Sequence, residues 1–158
     1  MQGAINGATR EFLGIPYAAP PVGALRWRPP QPVTPWVGTL SADTYSAACA
    51  QLPSISGTPS ESEDCLYLNV WRPTSKDGDL PVYFWIHGGG NSMGAASDQG
   101  YDGANLAINC EMVVVSVNYR LGPRGWFTCE ALRSGEDGAE LDDSGNYGTL
   151  DIIKALAW

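Results

Sequence analysis

The chain has 158 residues, of which 44 % are hydrophobic and 16 % are charged, a composition typical of a globular domain and not of a disordered segment. Nine Lys and Arg against seventeen Asp and Glu give a formal net charge of −8, and the basic residues are scattered singly. Because this charge repels a phosphate backbone, we expect no nucleic-acid partner.

The N-terminal segment is rich in proline. Met1–Arg10 lacks the basic start and apolar stretch of a signal peptide, so these residues are not predicted to be one; either the protein has none or it has been removed. Residues 12–36 hold seven of the twelve prolines. Since proline removes amide donors and fixes φ, this stretch is predicted to be extended and irregular on a surface, where burial of Trp27 and Trp36 would pin it.

Three later segments have the pattern of strands. Leu66–Trp71 alternates aliphatic with polar or aromatic residues, and turn-forming residues follow at positions 76–79. Leu80–Ile86 and the valine-rich Met112–Asn118 are continuous apolar runs, which predict strands buried on both faces. Neither run approaches the ~20 residues of a membrane span, and no span is expected.

A first helix is predicted between the two buried strands. It would cover Tyr101–Asn109, with Leu106 and Ala107 turned inward. Ser134–Ser144, acidic and containing glycine, is predicted to be a surface loop.

A second helix is predicted at Leu150–Trp158, where Leu150, Ile153 and Ala157 fall at helical spacing. Asp151 would lie in its first turn and suit the positive end of the helix dipole. Buried strands separated by helical segments indicate a sheet covered by helices, an α/β architecture.

The sequence His87-Gly88-Gly89-Gly90 directly follows the first buried run. Glycines let a backbone approach a ligand closely and turn its amides outward. Two N–H groups aimed at one point stabilise a developing oxyanion, at ~3 kcal/mol per donor. The same pattern forms the oxyanion loop of lipases and esterases. The alternative is a glycine-rich tight turn at a strand end.

Segments on either side of the glycine loop support the first of these interpretations. In chain order they are Phe12–Ala18 with Pro20–Gly23 and Leu25–Trp27, then Glu63–Val70, Asn118–Gly122 and Gly145–Asp151. Together with the glycine loop they resemble type-B carboxylesterases and cholinesterases over essentially the whole chain. The segment Glu63–Val70 is similar to that family's second sequence signature, which is highly specific.

The resemblance implies an α/β-hydrolase fold, of which residues 1–158 would be the N-terminal portion of a single domain, an incomplete, mixed and mostly parallel sheet flanked by helices. It implies hydrolysis of small carboxylic esters through a serine acyl-enzyme, with no metal and no cofactor. By position, the amides of Gly89 and Gly90 would be the oxyanion donors. His87, Gly88 and Asn91 would shape the loop, and His87 would not act as a base. Asn91 stands where the family more often has a bulky apolar side chain, so no substrate preference is carried over.

Three covalent or ionic links are implied in the same way: a Cys49–Cys65 disulfide, an Arg26–Glu63 ion pair and an Arg120–Asp151 ion pair. Cys110 and Cys129 match no family position and could be bridged or free. The implied disulfide indicates an oxidising compartment, secreted or periplasmic, with the cytoplasm left open.

One segment imitates the family's nucleophile motif. The sequence Gly90-Asn91-Ser92-Met93-Gly94 fits G-x-S-x-G, the strand–turn–helix elbow that carries the serine. The residues that follow lack the apolar periodicity of a helix, and His87 lies too close along the same loop to serve as the base. Ser92 is therefore predicted to be a loop residue.

The family's nucleophile, acid and base would all come after Trp158, so the isolated chain is predicted to be inactive and to need the rest of the hydrolase domain. Without it, uncovered strand edges and apolar faces predict a poorly soluble or oligomeric chain. Two alternatives remain open at this point: a non-catalytic adhesion relative of the same fold, or a remnant without function.

Overall fold

The computed structural model describes residues 1–53, 59–76, 78–133 and 140–158. One five-stranded sheet has the order β1-β2-β3-β5-β4. Its strands are β1 (Ala4–Asn6), β2 (Thr9–Pro16), β3 (Tyr67–Pro73), β4 (Val82–Ile86) and β5 (Val113–Val117). The helices are α1 (Ala104–Cys110), α2 (Gly122–Gly125) and α3 (Tyr147–Leu156), with 3₁₀ turns at Gly23–Leu25 and Glu130–Leu132. Within the described ranges, none of the helices has both the length and the apolarity that a membrane crossing requires.

The sheet is mixed, as the resemblance implies, but its described part is mostly antiparallel, whereas a mostly parallel sheet was expected. One reason is that only two residues join β1 to β2, and so short a connection allows only antiparallel pairing. Strands β1, β2, β3 and β5 pair antiparallel in succession, whereas β4 and β5 are parallel. One face packs Leu68, Val117 and Ala155 of α3 into the larger apolar cluster. The other face packs Trp71 and Ala107 of α1 into a smaller one. Helices therefore lie against both faces of the sheet.

The predicted irregular stretch at residues 12–36 begins too early, because its first five residues belong to β2. In this strand alternate side chains are buried, and Pro16 ends it at a position where a missing amide does no harm. Trp27 is anchored, since its Nε1 donates to Pro123 O at 2.8 Å. The burial predicted for Trp36 is wrong, for its side chain is 40 % exposed in a segment whose neighbour Val37 projects fully into solvent.

The other predicted strands form, with a shift of one or two residues at their ends. Strand β5 is confirmed as buried, because it lies between β3 and β4 and is covered on both faces. The burial predicted for β4 is wrong: Val82 is 65 % exposed and Ile86 is 41 % exposed. Strand β4 is outermost in the sheet and pairs on one side only. An apolar run shows that a strand can be buried, but neighbours on both sides must bury it.

Helix α1 confirms the first predicted helix, but only one of the two residues predicted to face inward is buried. Ala107 is fully buried, whereas Leu106 is exposed. Consecutive helical residues point about 100° apart, so one narrow contact with the sheet covers only one of the two. The turn predicted at residues 76–79 includes Asp77, and the acidic loop predicted at 134–144 includes residues 134–139; these positions lie outside the described residues.

Helix α3 begins three residues before the predicted start, and its predicted inner face is wrong. Ile153 and Ala157 are exposed and Leu150 is only partly buried. The buried positions of the helix are Tyr147, Gly148, Asp151 and Ala155. Asp151 faces the core because Arg120 pairs with it there, and this pairing fixes the rotation of the helix.

Candidate active site

The candidate site lies where the parallel pair of strands ends. His87 follows the last residue of β4, and Asn118 follows the last residue of β5. Because parallel strands end at the same edge of the sheet, the glycine loop and the segment after β5 lie side by side. This edge is where open α/β sheets bind ligands.

Position 89 of the glycine loop can be occupied only by glycine. Gly89 has φ +118° and Gly90 has φ +60°. A Cβ atom at Gly89 would lie 2.0 Å from Met93 O. The loop is closed by the amides of Ser92 and Met93, which donate to Gly89 O at 3.1 and 3.2 Å. The glycines thus serve a defined backbone shape.

The amides of Gly89 and Gly90 have the property that oxyanion binding needs. Both residues are exposed, and no acceptor among the described residues pairs with either N–H group. Two free donors one residue apart, on a loop whose shape is fixed, can stabilise an oxygen that becomes negative in front of them.

His87 supports this loop from beneath. Its ring is buried and stacks on Tyr119 with 4.5 Å between the ring centroids. Its Nδ1 lies 2.9 Å from Gly88 O, and Tyr119 Oη donates to His87 O at 2.7 Å. Burial lowers the pKa of the imidazole, which keeps it neutral. A packed, neutral ring that is already hydrogen bonded suits a structural role.

Asn91 has a backbone reason to be Asn. Its φ is +60°, a left-handed conformation that Asn tolerates better than most side chains. Its carbonyl accepts a hydrogen bond from Gly122 N at 2.7 Å, which ties the loop to α2. An Asn directly after three glycines is a signal for this conformation that can be read from the sequence.

Ser92 does not sit on an elbow. Residues 91–100 form turns and bends, and no helix follows the serine. Its hydroxyl is exposed and donates to Gly89 O at 3.1 Å. The G-x-S-x-G match therefore lacks the strand–turn–helix geometry of a nucleophile.

Sequence reasoning missed two side chains that hold the far end of the loop. Gln51 makes a pair of hydrogen bonds to the backbone of Gly94, and Asn118 Oδ1 accepts from Ala96 N at 2.8 Å. Asn118 at the end of a buried strand is a detectable signal, since a buried amide needs partners. For Gln51, the only signal in the sequence is its position two residues after Cys49, and this does not indicate a contact with the loop.

The implied disulfide is present between Cys49 and Cys65, and both residues are buried. Cys110 and Cys129 are free and exposed.

The Arg26–Glu63 pair is also present, with Arg26 Nε 2.8 Å from Glu63 Oε2. Glu63 also accepts from Arg124 Nε at 2.8 Å, a contact that the family resemblance did not imply. Burial acts to raise the pKa of Glu63, but the hydrogen bonds from Arg124 and Arg26 outweigh it and lower this pKa. One carboxylate thus joins the N-terminal segment to α2.

The Arg120–Asp151 pair is deeply buried and bidentate. Arg120 Nη2 and Nε lie 2.7 and 2.8 Å from the two carboxylate oxygens, and the amide of Arg120 donates to the same carboxylate at 3.1 Å. Burial raises the pKa of Asp151 more than the bonds from Arg120 lower it. This pair fixes α3 against the end of β5.

A pocket of about 800 Å³ opens beside the glycine loop. Ser92 and Met93 of the loop line it, together with Leu121 and Arg124 from the segment after β5. Its size is adequate for a small organic ligand.

Comparison with known proteins gives a consistent result. The sequence profile of the carboxylesterase family matches residues 1–158. The chain is 41 % identical to the para-nitrobenzyl esterase of Bacillus subtilis, covering 100 % of this chain and 32 % of that protein. It is 44 % identical to the fumonisin B1 esterase of Sphingopyxis macrogoltabida, covering 98 % of this chain and 28 % of that protein. It is 41 % identical to the acetylcholinesterase of Bungarus fasciatus, covering 98 % of this chain and 26 % of that protein.

Solved structures agree with the sequence relatives. A PNB esterase superposes with a TM-score of 0.85 at 41 % identity, covering 99 % of this chain and 31 % of that one. A carboxylesterase of Geobacillus stearothermophilus gives 0.82 at 37 % identity, covering 98 % and 31 %. The chain therefore has part of the α/β-hydrolase fold and spans about a third of the length of the relatives it matches.

Proposed function

The chain belongs to the carboxylesterase family, and on this basis we propose that its glycine loop is the oxyanion hole of a serine ester hydrolase. The observation that carries the proposal is the pair of unpaired, exposed amides at Gly89 and Gly90. The relatives' names refer to esters as different as those of para-nitrobenzyl alcohol and choline. The substrate class proposed for this chain is therefore small carboxylic esters in general.

In the proposed reaction a serine oxygen attacks the ester carbonyl carbon, and the π pair of the carbonyl moves onto its oxygen. That oxygen then accepts hydrogen bonds from Gly89 N and Gly90 N. The oxyanion then collapses, the bond from the carbonyl carbon to the alcohol oxygen breaks, and the alcohol leaves with the proton that the serine has lost; water later releases the acid from the acyl-enzyme and returns a proton to the serine. Donors that are already in place need no reorganisation when the charge forms, and each contributes ~3 kcal/mol to the transition state.

Residues 1–158 would be the N-terminal portion of one α/β-hydrolase domain, with the nucleophile, acid and base contributed from outside these residues. Two observations support this division of labour: Ser92 lacks an elbow, and the sequence contains a single histidine, His87, which is packed beneath the loop. The isolated chain is therefore expected not to turn over an ester.

The loop can be tested in a chimera in which residues 1–158 replace the matching third of the Bacillus subtilis para-nitrobenzyl esterase. Gly89→Ala places a Cβ on the Met93 carbonyl and should displace the donors. We expect kcat for p-nitrophenyl acetate to fall at least ~100-fold while KM changes little, because the oxyanion exists only in the transition state.

Gly38→Ala is the matched control. Gly38 also has a positive φ, +82°, so it imposes a similar backbone cost, but nothing lies within 4 Å of its Cβ position. Its kcat should stay near that of the parent chimera. Equal losses in both variants would mean that the glycines matter for folding and not for catalysis.

The isolated chain should release p-nitrophenol no faster than its Ser92→Ala variant. Saturable turnover that Ser92→Ala abolishes would overturn the proposed division of labour and make Ser92 the nucleophile.

A further inference from the structure

We propose that Gln51 is a positioning residue of the oxyanion loop: its side-chain amide holds Gly94 and thereby fixes where the amides of Gly89 and Gly90 point. The inference rests on the proposed function, because it assigns a second part to the same site. Gln51 lies outside the loop, two residues after Cys49, in the segment that the disulfide closes.

The contacts of Gln51 use its whole side-chain amide. Its Oε1 accepts from Gly94 N at 2.8 Å, and its Nε2 donates to Gly94 O at 2.9 Å. The same Nε2 also donates to Cys49 O at 3.2 Å. The side chain thus pairs with Gly94 as one strand pairs with another, satisfying both backbone groups of a buried residue.

Gly94 in turn lies directly against the beginning of the loop. A Cβ atom at this position would be 2.6 Å from His87 Nδ1 and 2.7 Å from Gly88 O. The preceding carbonyl, Met93 O, would lie 2.0 Å from a Cβ atom at Gly89. A displacement of Gly94 would therefore move the atoms that support the two oxyanion donors, since there is no free space between them.

Contacts with described residues hold residues 87–94 at their start, at their apex and at their end, and Gln51 provides the contact at the end; Asn118 holds Ala96 just beyond. Tyr119 Oη holds His87 O at the start, and Gly122 N holds Asn91 O at the apex. Gln51 holds Gly94 at the end. If this third contact is removed, the N–H and C=O of Gly94 lose their partners in a buried position, which favours movement of the loop towards water.

Gln51 is itself fixed in place. Its backbone forms a bridge with Ser60, with Gln51 N donating to Ser60 O at 2.8 Å. The hydroxyl of Ser60 donates to Ala48 O at 2.6 Å, on the other side of the Cys49–Cys65 disulfide. The disulfide segment can therefore transmit its own position to the oxyanion loop through one side chain.

The first test is amide hydrogen exchange of the full chain, followed by mass spectrometry at low protein concentration. Gln51→Ala directly frees one amide, that of Gly94. The proposal requires more, namely that the amides of Ser92 and Met93, which donate to Gly89 O, also exchange faster. A gain limited to one amide in residues 88–94 would overturn it.

Ser62→Ala is the matched control for this experiment. It removes the hydrogen bond from Ser62 Oγ to Asp64 O within the disulfide segment and leaves Gln51 and its bridge to Ser60 intact. It should leave exchange in the loop unchanged. If it loosens residues 88–94 as much as Gln51→Ala does, Gln51 acts only through the stability of its own segment.

The second test uses the chimera described above and separates kcat from KM. Gln51→Ala should lower kcat about tenfold with KM within about twofold, because misplaced donors weaken only the transition state. Gln99→Ala, a change in an exposed glutamine of the following turn, should leave both unchanged. A wild-type kcat in Gln51→Ala would overturn the inference.

Gln51→Glu adds a readout that a purely structural role would not give. A neutral carboxylic acid has one donor and one acceptor, which is enough to pair with Gly94 although the second donor of the amide, which bonds Cys49 O, is lost; a carboxylate offers no donor to Gly94 O. The ratio of kcat in Gln51→Glu to that of the parent chimera should therefore rise as the pH falls from 8 towards 5. A ratio independent of pH would contradict the proposed pairing.

The two proposals fail in different ways. If Gly89→Ala keeps its kcat, the glycine loop is not the oxyanion hole and the inference falls with it. If Gly89→Ala loses activity but Gln51→Ala does not, the proposed function stands and only the role of Gln51 is wrong.

Discussion

His87 shows how packing decides the chemistry of a single residue. The ring lies between the aromatic face of Tyr119 and the backbone of Gly94, with 2 % of the residue exposed. Burial lowers its pKa because a charged imidazolium would lose its hydration there. The same environment that makes His87 a poor base makes it a support for the loop.

This burial predicts a pH-dependent stability. Because the pKa of His87 is lower in the folded than in the unfolded state, protonation favours unfolding. The free energy of unfolding should be constant above the unfolded pKa of about 6.5 and fall as the pH drops below it towards the folded pKa, by at most about 1.4 kcal/mol per pH unit. Urea unfolding of dilute protein between pH 8 and 5 measures it.

The variant His87→Gln separates this effect from all other titrations. It retains every other ionisable group, so the difference between the two curves belongs to the single histidine of the chain. Two parallel curves would show that the imidazole does not titrate differently on folding.

The sequence could reveal the glycine loop and its backbone amides, but not most of the residues that hold this loop in place. Three glycines after an apolar run are a local pattern with a local cause. Gln51, Tyr119 and Gly122 reach the loop from other parts of the chain, and nothing in the type or spacing of these residues indicates the contact. The second partner of Glu63, Arg124, is hidden for the same reason.

At the scale of elements, the pattern of apolar residues predicted whether a segment is a strand or a helix. It did not predict which other elements that segment packs against. Strand β5 and strand β4 have similar apolar sequences, yet one is central and the other is outermost. In α3 the apolar spacing pointed to Leu150, Ile153 and Ala157, while one buried carboxylate turned a different face inward. A single ion pair outweighed three apolar contacts because a buried charge without its partner is very costly.

The exposed edge at β4 predicts self-association that one substitution should reduce. Val82 is mostly exposed on the outermost strand, where a lysine discourages pairing with another strand. We expect Val82→Lys to shift the isolated chain towards monomer in sedimentation velocity experiments, with little loss of stability.

Val114→Lys on the adjacent strand is the contrasting variant, because Val114 is buried and a lysine there should unfold the chain. If the parent chain is already a monomer with a sharp cooperative melt, the predicted association through uncovered edges is wrong.

At the scale of the molecule, long-range links join the N-terminal third to the sheet. Glu63 bonds Arg26 and Arg124, and Arg120 Nη1 donates to Arg28 O at 2.8 Å. The order of the family motifs along the chain predicted this α/β arrangement correctly. Composition and charge alone indicated only a globular acidic protein, because they carry no information on which segments meet.

The disulfide is the covalent part of this network, and its contribution can be measured. Cys49 and Cys65 are sixteen residues apart in sequence, and closing such a loop stabilises by ~3 kcal/mol through the unfolded state. Urea unfolding with and without dithiothreitol should show this difference. The double variant Cys110→Ser/Cys129→Ser removes only exposed thiols and should change stability by less than ~0.5 kcal/mol. Equal stability of the oxidised and reduced chain would contradict the expected contribution.

The contacts that hold the glycine loop from other parts of the chain have a consequence for any attempt to graft the loop onto another protein. An eight-residue peptide copied into another sheet would bring the glycines but not the tyrosine hydroxyl, the α2 amide or the glutamine that shape them. Evolution faces the same constraint, so a change in one support is expected to be accompanied by a compensating change in another. To preserve this site, a chain must keep a set of residues that are far apart in sequence, and the glycine motif is only one part of that set.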